Sequence, residues 1–121
     1  MPHNDQTTTI QNLKQIAQEI RDARDWQQFH SPKNLSMYIA IEAAELMEKF
    51  VWMTPQESFQ EINKNRQEIE DEMADVLICL VHFCNAANID MTSAFRKKLQ
   101  EVAKKYPVGK AKGKSDKYNK L

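Results

Sequence analysis

Glycine and proline are scarce here, at two and four residues of 121. A fold of many strands needs turn residues at each reversal, so this shortage argues against one. The abundance of Ala, Leu, Glu, Lys and Gln argues for long helices. Cysteine is almost absent too. Cys79 and Cys84 lie five apart in one apolar helical run, on different sides of the helix. They cannot bridge without unwinding it, so two free, buried thiols are expected and a disulfide scaffold is not. Long apolar runs are missing: the longest, from Val76 through Leu80 to Val81, falls far short of a bilayer. Residues 1–9 are polar and lack the apolar segment of a signal peptide, which predicts a cytoplasmic protein with no membrane partner.

Net charge is also lacking, but the zero total hides an uneven distribution. After Tyr106 come Lys110, Lys112, Lys114, Lys117 and Lys120 against the single acid Asp116. The preceding body therefore carries a surplus of four acids. A mildly acidic body lacks the basic face that a nucleic-acid polymer requires. Small nucleotides are not excluded, since a metal ion can bridge carboxylate and phosphate. The length fits one domain that buries about two-thirds of its unfolded surface. A deep active site in so small a chain is expected to borrow walls from another subunit. The expected organisation is a single all-α domain over residues 1–106 and a Lys/Gly-rich tail over 107–121.

Helical periodicity organises that domain. Ile10, Leu13, Ile16, Ala17, Ile20 and Ala23 form one stripe, predicting a helix over about 9–25. The following Trp26-Gln27-Gln28-Phe29-His30 has aromatics but no clear period. Ser31-Pro32 is a helix start, with a cap residue followed by proline at the first helical position. It opens a second helix predicted to reach about residue 53. Thr54 and Glu57 have capping-box spacing ahead of a short helix through Ile62. A third helix is predicted over 66–87; its half from Val76 to Phe83 is apolar nearly all round and should be the bundle's central helix. Asn88 to Asp90 breaks it, and a fourth main helix follows over 91–106, stopped by Pro107. These four main helices predict an antiparallel bundle, completed by oligomerisation, with a tail either mobile or ordered only against a ligand.

Two acidic pairs stand out. Glu42 and Glu45 are three residues apart, on one side of the second helix, and Glu72 and Asp75 repeat the spacing on the third. Such a pair is ordinarily a solvated face. Here the neighbours are Ile39, Ala40, Ile41, Ala43, Ala44, Leu46 and Met47, then Met73, Ala74, Val76, Leu77 and Ile78. Carboxylates in such a setting must be paired or bind a cation. No Lys or Arg lies between Lys33 and Lys49, nor between Arg66 and Arg96, so the neutralising charge is expected from a metal. An all-carboxylate set favours Mg²⁺, with Mn²⁺ as a substitute, over zinc. Helical di-iron sites add a His three residues after a Glu, but Glu48 and Ile78 hold those places. His82, seven residues after Asp75, reads as a core or interface histidine.

The spacing Glu42-x-x-Glu45, 26 residues, Glu72-x-x-Asp75 resembles the MazG-like nucleoside triphosphate pyrophosphohydrolases, nearest their small dCTP pyrophosphatase branch in the all-α NTP pyrophosphatase superfamily. The likeness extends through Arg24–His30, Pro32–Leu35, Glu42–Leu46 to Trp52, Glu72–Leu77, Tyr106-Pro107 and Ser115–Tyr118. It implies an enzyme cleaving a (d)NTP to (d)NMP and pyrophosphate, with Glu42, Glu45, Glu72 and Asp75 holding Mg²⁺. Glu45 is nominated as proton acceptor, with Glu42 close behind. Trp26 and Trp52 are candidates to stack on the base, with Phe29 beside them; each aromatic has packing or a dimer contact as its alternative. His30 and Asn34 are candidates to hydrogen-bond base or sugar, although Asn34 can instead support the start of the second helix. Lys98 is a candidate for the phosphates, or a solvated lysine. Ala17 and Cys79 stand where dCTP-preferring relatives carry larger polar or aromatic residues, and Val102 where an Asn is frequent. A dCTP-type preference therefore does not follow from the acids.

The resemblance implies nucleotide-pool clean-up by a homodimer or homotetramer. Two other readings compete: a non-enzymatic helical dimerisation or adaptor module, and a dUTPase-like all-α phosphohydrolase. An adaptor would show no Mg²⁺-dependent thermal shift, and Asp75→Asn would stabilise it or leave it unchanged.

Overall fold

The computed structural model describes residues 3–121, and among them every regular element is helical. They are α1 (Ile10–Ala23), α2 (Pro32–Glu48), α3 (Pro55–Lys64), α4 (Arg66–Ala87), α5 (Met91–Lys105) and the single turn α6 (Val108–Ala111). Short 3₁₀ turns cover Gln27–Phe29 and Tyr118–Lys120. The chain divides into two compact units, one ending at Ile89 and the other running Asp90–Leu121. No single helix among the described residues is long and apolar enough to cross a membrane.

The helix starts follow the capping chemistry of the sequence. Ser31 Oγ accepts from the Asn34 backbone N–H, and Pro32 takes the first helical position. Thr54 Oγ1 accepts from the Glu57 N–H, but Glu57 Oε1 turns to the Thr54 hydroxyl rather than its backbone. The expected box is thus half formed; a complete one occurs instead between Thr9 and Asn12. The expected second helix is too long. It ends at Glu48, and residues 49–53 close as i→i+3 turns through Phe50 N–H to Met47 O and Met53 N–H to Phe50 O. Pro55 forces Thr54 into extended backbone, and these turns reverse the chain ahead of it.

Two helix ends aim residues that matter below. After α1, Asp25 takes a left-handed conformation (φ 54°), with Trp26 N–H bonded to Arg21 O and Asp25 N–H to Asp22 O. This is a Schellman closure without glycine, tolerated because Asp bears the left-handed region better than most residues. It places Trp26 beside α1. Asn88 (φ 54°) closes α4, its own N–H and that of Ile89 both bonded to Cys84 O.

In the first unit α4 is the central helix: it packs most extensively on α2, then on α1, then on α3. Asn85 Nδ2 donates to Lys14 O (2.9 Å) and Lys14 Nζ to Ile89 O (2.8 Å), tying α1 to the end of α4. Leu35 of α2 and Val81 and Cys84 of α4 are the buried apolar side chains among the described residues. The helix is central as expected, yet Leu77, Ile78 and Leu80 remain partly exposed. Three neighbouring helices are too few to enclose it.

The second unit holds α5 and the lysine-rich segment. That segment, expected to be mobile or ordered only against a ligand, takes up structure of its own. Tyr118 N–H donates to Tyr106 Oη (3.1 Å), their rings meet edge to face, and Lys105 Nζ lies 4.9 Å from the Tyr118 ring centre. Aromatic and cation–π contacts replace the apolar burial this stretch lacks.

Candidate functional site: a four-carboxylate cluster

The packing of α4 on α2 joins the two acidic pairs. Each pair presents both acids on one helical face, and the two faces meet. One carboxylate oxygen from each of Glu42, Glu45, Glu72 and Asp75 lies within 4.8 Å of the others. Glu42 and Glu72 are half-buried, and each has an Oε2 that is buried with no hydrogen-bond partner among the described residues. Glu45 and Asp75 are exposed at the rim. The apolar neighbours did not enclose the cluster as the sequence suggested: Ile41, Met47 and Met73 are exposed beside it.

The electrostatics follow from four acids in so small a volume. The Glu45 carboxyl is held above its ordinary range first by Glu42, close enough to share a proton with it, and by Glu42's charge. Glu72 is raised first by burial and then by the charge of Glu45, with Lys49 opposing. Lys49 is itself drawn to Glu68 (3.6 Å), an exposed pair contributing little to stability. A divalent cation would satisfy both orphaned oxygens and relieve the repulsion, so the donor set fits a hard metal ion.

This makes a testable pH dependence. For a carboxyl raised above its unfolded value, the folded state binds the extra proton between the two pKa values, so stability falls as pH rises through that window. Metal-free protein should therefore lose stability as pH rises above about 4.5, through Glu45 and Glu72. His30 and His82, lowered by burial, act oppositely below pH 6.5, so the comparison must be internal. Thermal unfolding in chelator should show a smaller loss in Glu42→Gln than in the native chain. Parallel pH profiles for the two proteins would contradict the coupling.

Cys79, which the resemblance sets where dCTP-preferring relatives carry a larger residue, belongs to the cluster's surroundings and is less buried than expected. Its thiol is half-buried and raised by burial, then by the charges of Glu42 and Asp75. The signal was available: Cys79 is four residues after Asp75 and seven after Glu72, on the same face of α4.

The candidates for the base end are dispersed. Trp26 stands at the wall of a cavity of about 320 Å³ between α1 and α4, with the Arg24 guanidinium 5.6 Å from its ring centre. His30 meets His82 edge to face at 4.5 Å between centroids. Asn34 donates from Nδ2 to Phe29 O (3.0 Å), which is the supporting role at the start of α2 rather than a free binding group. Trp52 projects from the turn after α2 and is 93% exposed. Lys98 lies in the second unit, where it pairs with Glu101 at 3.1 Å.

An all-helical fold with four carboxylates converging from two packed helices defines an all-α protein with an acidic centre able to hold a metal ion. Residues 37–121 match the MazG-like family. The chain is 32% identical over 115 residues to dCTP pyrophosphatase 1 of Mus musculus and of Homo sapiens, covering 93% of this chain and 68% of each relative. The fold is similar to that of a pyrophosphatase from Archaeoglobus fulgidus, with TM-score 0.79 and 38% identity over 88% of this chain and 98% of that one. The chain belongs to the MazG-like family.

Proposed function

We propose that this nucleotide pyrophosphohydrolase is Mg²⁺-dependent and cleaves a (d)NTP to (d)NMP and pyrophosphate, with Glu42, Glu45, Glu72 and Asp75 as its metal ligands. The observation that carries the reading is the convergence of the four acids with two buried, unpartnered oxygens. Family membership and the pyrophosphatase relatives support the reaction class. When bound, the metal supplies charge neutralisation for the triphosphate and a lowered pKa for water.

The chain's own residues supply the rest. Water oxygen bonds to the α-phosphorus as the bond from that phosphorus to the bridging oxygen breaks, leaving pyrophosphate. Glu45, at the exposed rim of the cluster, receives the water proton. Glu42 is the alternative acceptor. Trp26 and Trp52 are the aromatic faces proposed for the base. The relatives named for dCTP favour a dCTP-type substrate, and nucleotide-pool clean-up is the role proposed with it. Mn²⁺ is expected to substitute for Mg²⁺.

Assembly as a homodimer or homotetramer is part of the proposal. Met37, Ile41 and Met47 of α2 and Met73, Leu77 and Leu80 of α4 are exposed, more apolar side chain than an isolated helix pair ordinarily leaves in water. The proposed setting is the cytoplasm, with neither a membrane nor a nucleic-acid polymer as partner.

The test is pyrophosphate release from a panel of ordinary and modified dNTPs. Release is expected with Mg²⁺ and its loss in chelator. No turnover of any triphosphate by pure, metal-loaded protein would defeat the proposal.

A further inference from the structure

The acidic pairs belong to a longer ladder between α2 and α4. Carboxylate oxygens of Glu45 and Glu72 lie within 4.8 Å of each other, and Lys49 meets Glu68 at 3.6 Å. The two helices therefore run antiparallel here, and the Lys49–Glu68 rung follows the Glu45–Glu72 rung. Lys49 caps α2 in helical backbone (φ −63°, ψ −19°), so Glu42, Glu45 and Lys49 share one face at i, i+3 and i+7. On α4 the matching positions are Glu68, Glu72 and Asp75, at i, i+4 and i+7. Lys49 is the cation of this ladder, one turn or about 6 Å along the axis from Glu45.

The ladder has two unlike ends. Beyond Asp75, α4 continues with Leu77, Ile78 and Val81, an apolar wall that offers nothing to a charged group. Beyond Glu72 lies the Lys49–Glu68 rung, open to solvent, with the Lys49 side chain 32% exposed and that of Glu68 65%. A triphosphate whose α-phosphate sits at the acids must send its other phosphates one way or the other. At the apolar end they would lose water and gain no partner. At the other end they meet both water and an ammonium group, whose charge already reaches Glu72.

We infer that Lys49 binds the β- and γ-phosphates of the substrate and stabilises the departing pyrophosphate. This rests on the pyrophosphohydrolase reading and assigns its leaving-group residue. As the bond from the α-phosphorus to the bridging oxygen breaks, its electron pair stays on that oxygen. The Lys49 ammonium meets the added charge and keeps its own proton. Glu68 is the resting partner. A pair this exposed is weak, so a phosphate displaces Glu68 at little cost. Glu68 lies in the first turn of α4, where the helix dipole continues to favour its negative charge after Lys49 has left.

The experiment compares Lys49→Gln, Lys49→Arg and Glu68→Gln with the native protein, all with Mg²⁺. It reads kcat/KM for the dNTP that the native protein hydrolyses fastest, and the inhibition constants of that nucleotide's monophosphate and of pyrophosphate. Both side chains are at the surface, so the fold should tolerate every change. In Lys49→Gln, kcat/KM should fall about tenfold and the pyrophosphate constant should rise about tenfold. The monophosphate constant should not move, because the lysine touches only the leaving half. Lys49→Arg keeps the charge and should recover most of both losses. Glu68→Gln frees the lysine and should leave kcat/KM at or above the native value. A pair that only holds α2 to α4 would instead give equal losses in Lys49→Gln and Glu68→Gln, and that result overturns the inference. An unchanged pyrophosphate constant in Lys49→Gln overturns it whatever the rate, as does an equal rise in the monophosphate constant or a native protein that pyrophosphate does not inhibit. A native protein that hydrolyses no dNTP fails the pyrophosphohydrolase reading itself, and the role of Lys49 with it.

Discussion

Asp75→Asn is expected to reduce pyrophosphate release by roughly 10²–10³-fold, the loss typical of removing one group that stabilises the reacting charge. The substitution changes one charge and almost no volume, at an exposed side chain, so the fold should tolerate it. Its effect on stability should be opposite to its effect on activity. In chelator the variant should be at least as stable as the native chain, because a charge that raises both Glu45 and Glu72 is gone. With Mg²⁺ added, the native chain should gain stability as a folded state that binds ligand must, while the variant should gain little. Pyrophosphate assays and thermal unfolding with and without Mg²⁺ read both effects. Undiminished activity together with a preserved Mg²⁺ shift would remove Asp75 from the metal site.

Leu35→Ala should cost about 3 kcal/mol, within the usual range of about 2–5 for a buried leucine. Leu35 is 1% exposed, the most completely buried large side chain among the described residues, and it sits where α2 meets the rest of its unit. So thin a core gives little opportunity to redistribute the loss. Against a typical total of about 5–15 kcal/mol this is a large fraction, and Tm should fall by about 10 °C. Urea unfolding with an unchanged m-value would attribute the fall to stability. A change below about 1 kcal/mol would mean that the site collapses around the smaller side chain, or that the monomer's core is not what limits stability.

Much of the fold was legible because helices announce themselves locally. The Ser31-Pro32 and Thr54-Pro55 starts, and the left-handed Asn88 that ends α4, are backbone chemistry decided within a few residues. The over-long second helix shows the limit of that reasoning. Phe50 to Met53 has ordinary helical composition, and only the reversal demanded ahead of Pro55 ends α2 early. The structured tail was missed for a similar reason. Tyr118 finds Tyr106 twelve residues back, a pairing without periodicity.

For the site, the metal end was readable and the base end was not. A carboxylate pair at i and i+3 specifies its own face, and a gap of thirty or so residues without Lys or Arg is visible in one dimension. What groups around Trp26 is different. Neither the His30–His82 contact nor the cavity beside them follows from spacing, since they join the turn after α1 to the middle of α4. Cys79 lies between these cases: its face was predictable, its proximity to Glu42 on another helix was not.

The amino-acid sequence alone determined that this protein is helical and that two acidic pairs each line one helical face, because those properties depend on neighbours three and four residues away. Tertiary structure decided that the pairs meet, that two of their oxygens are buried without partners, and that two histidines face each other beside an apolar cavity. Those facts depend on which faces of α1, α2 and α4 pack together, and side-chain burial of that kind has no one-dimensional signature.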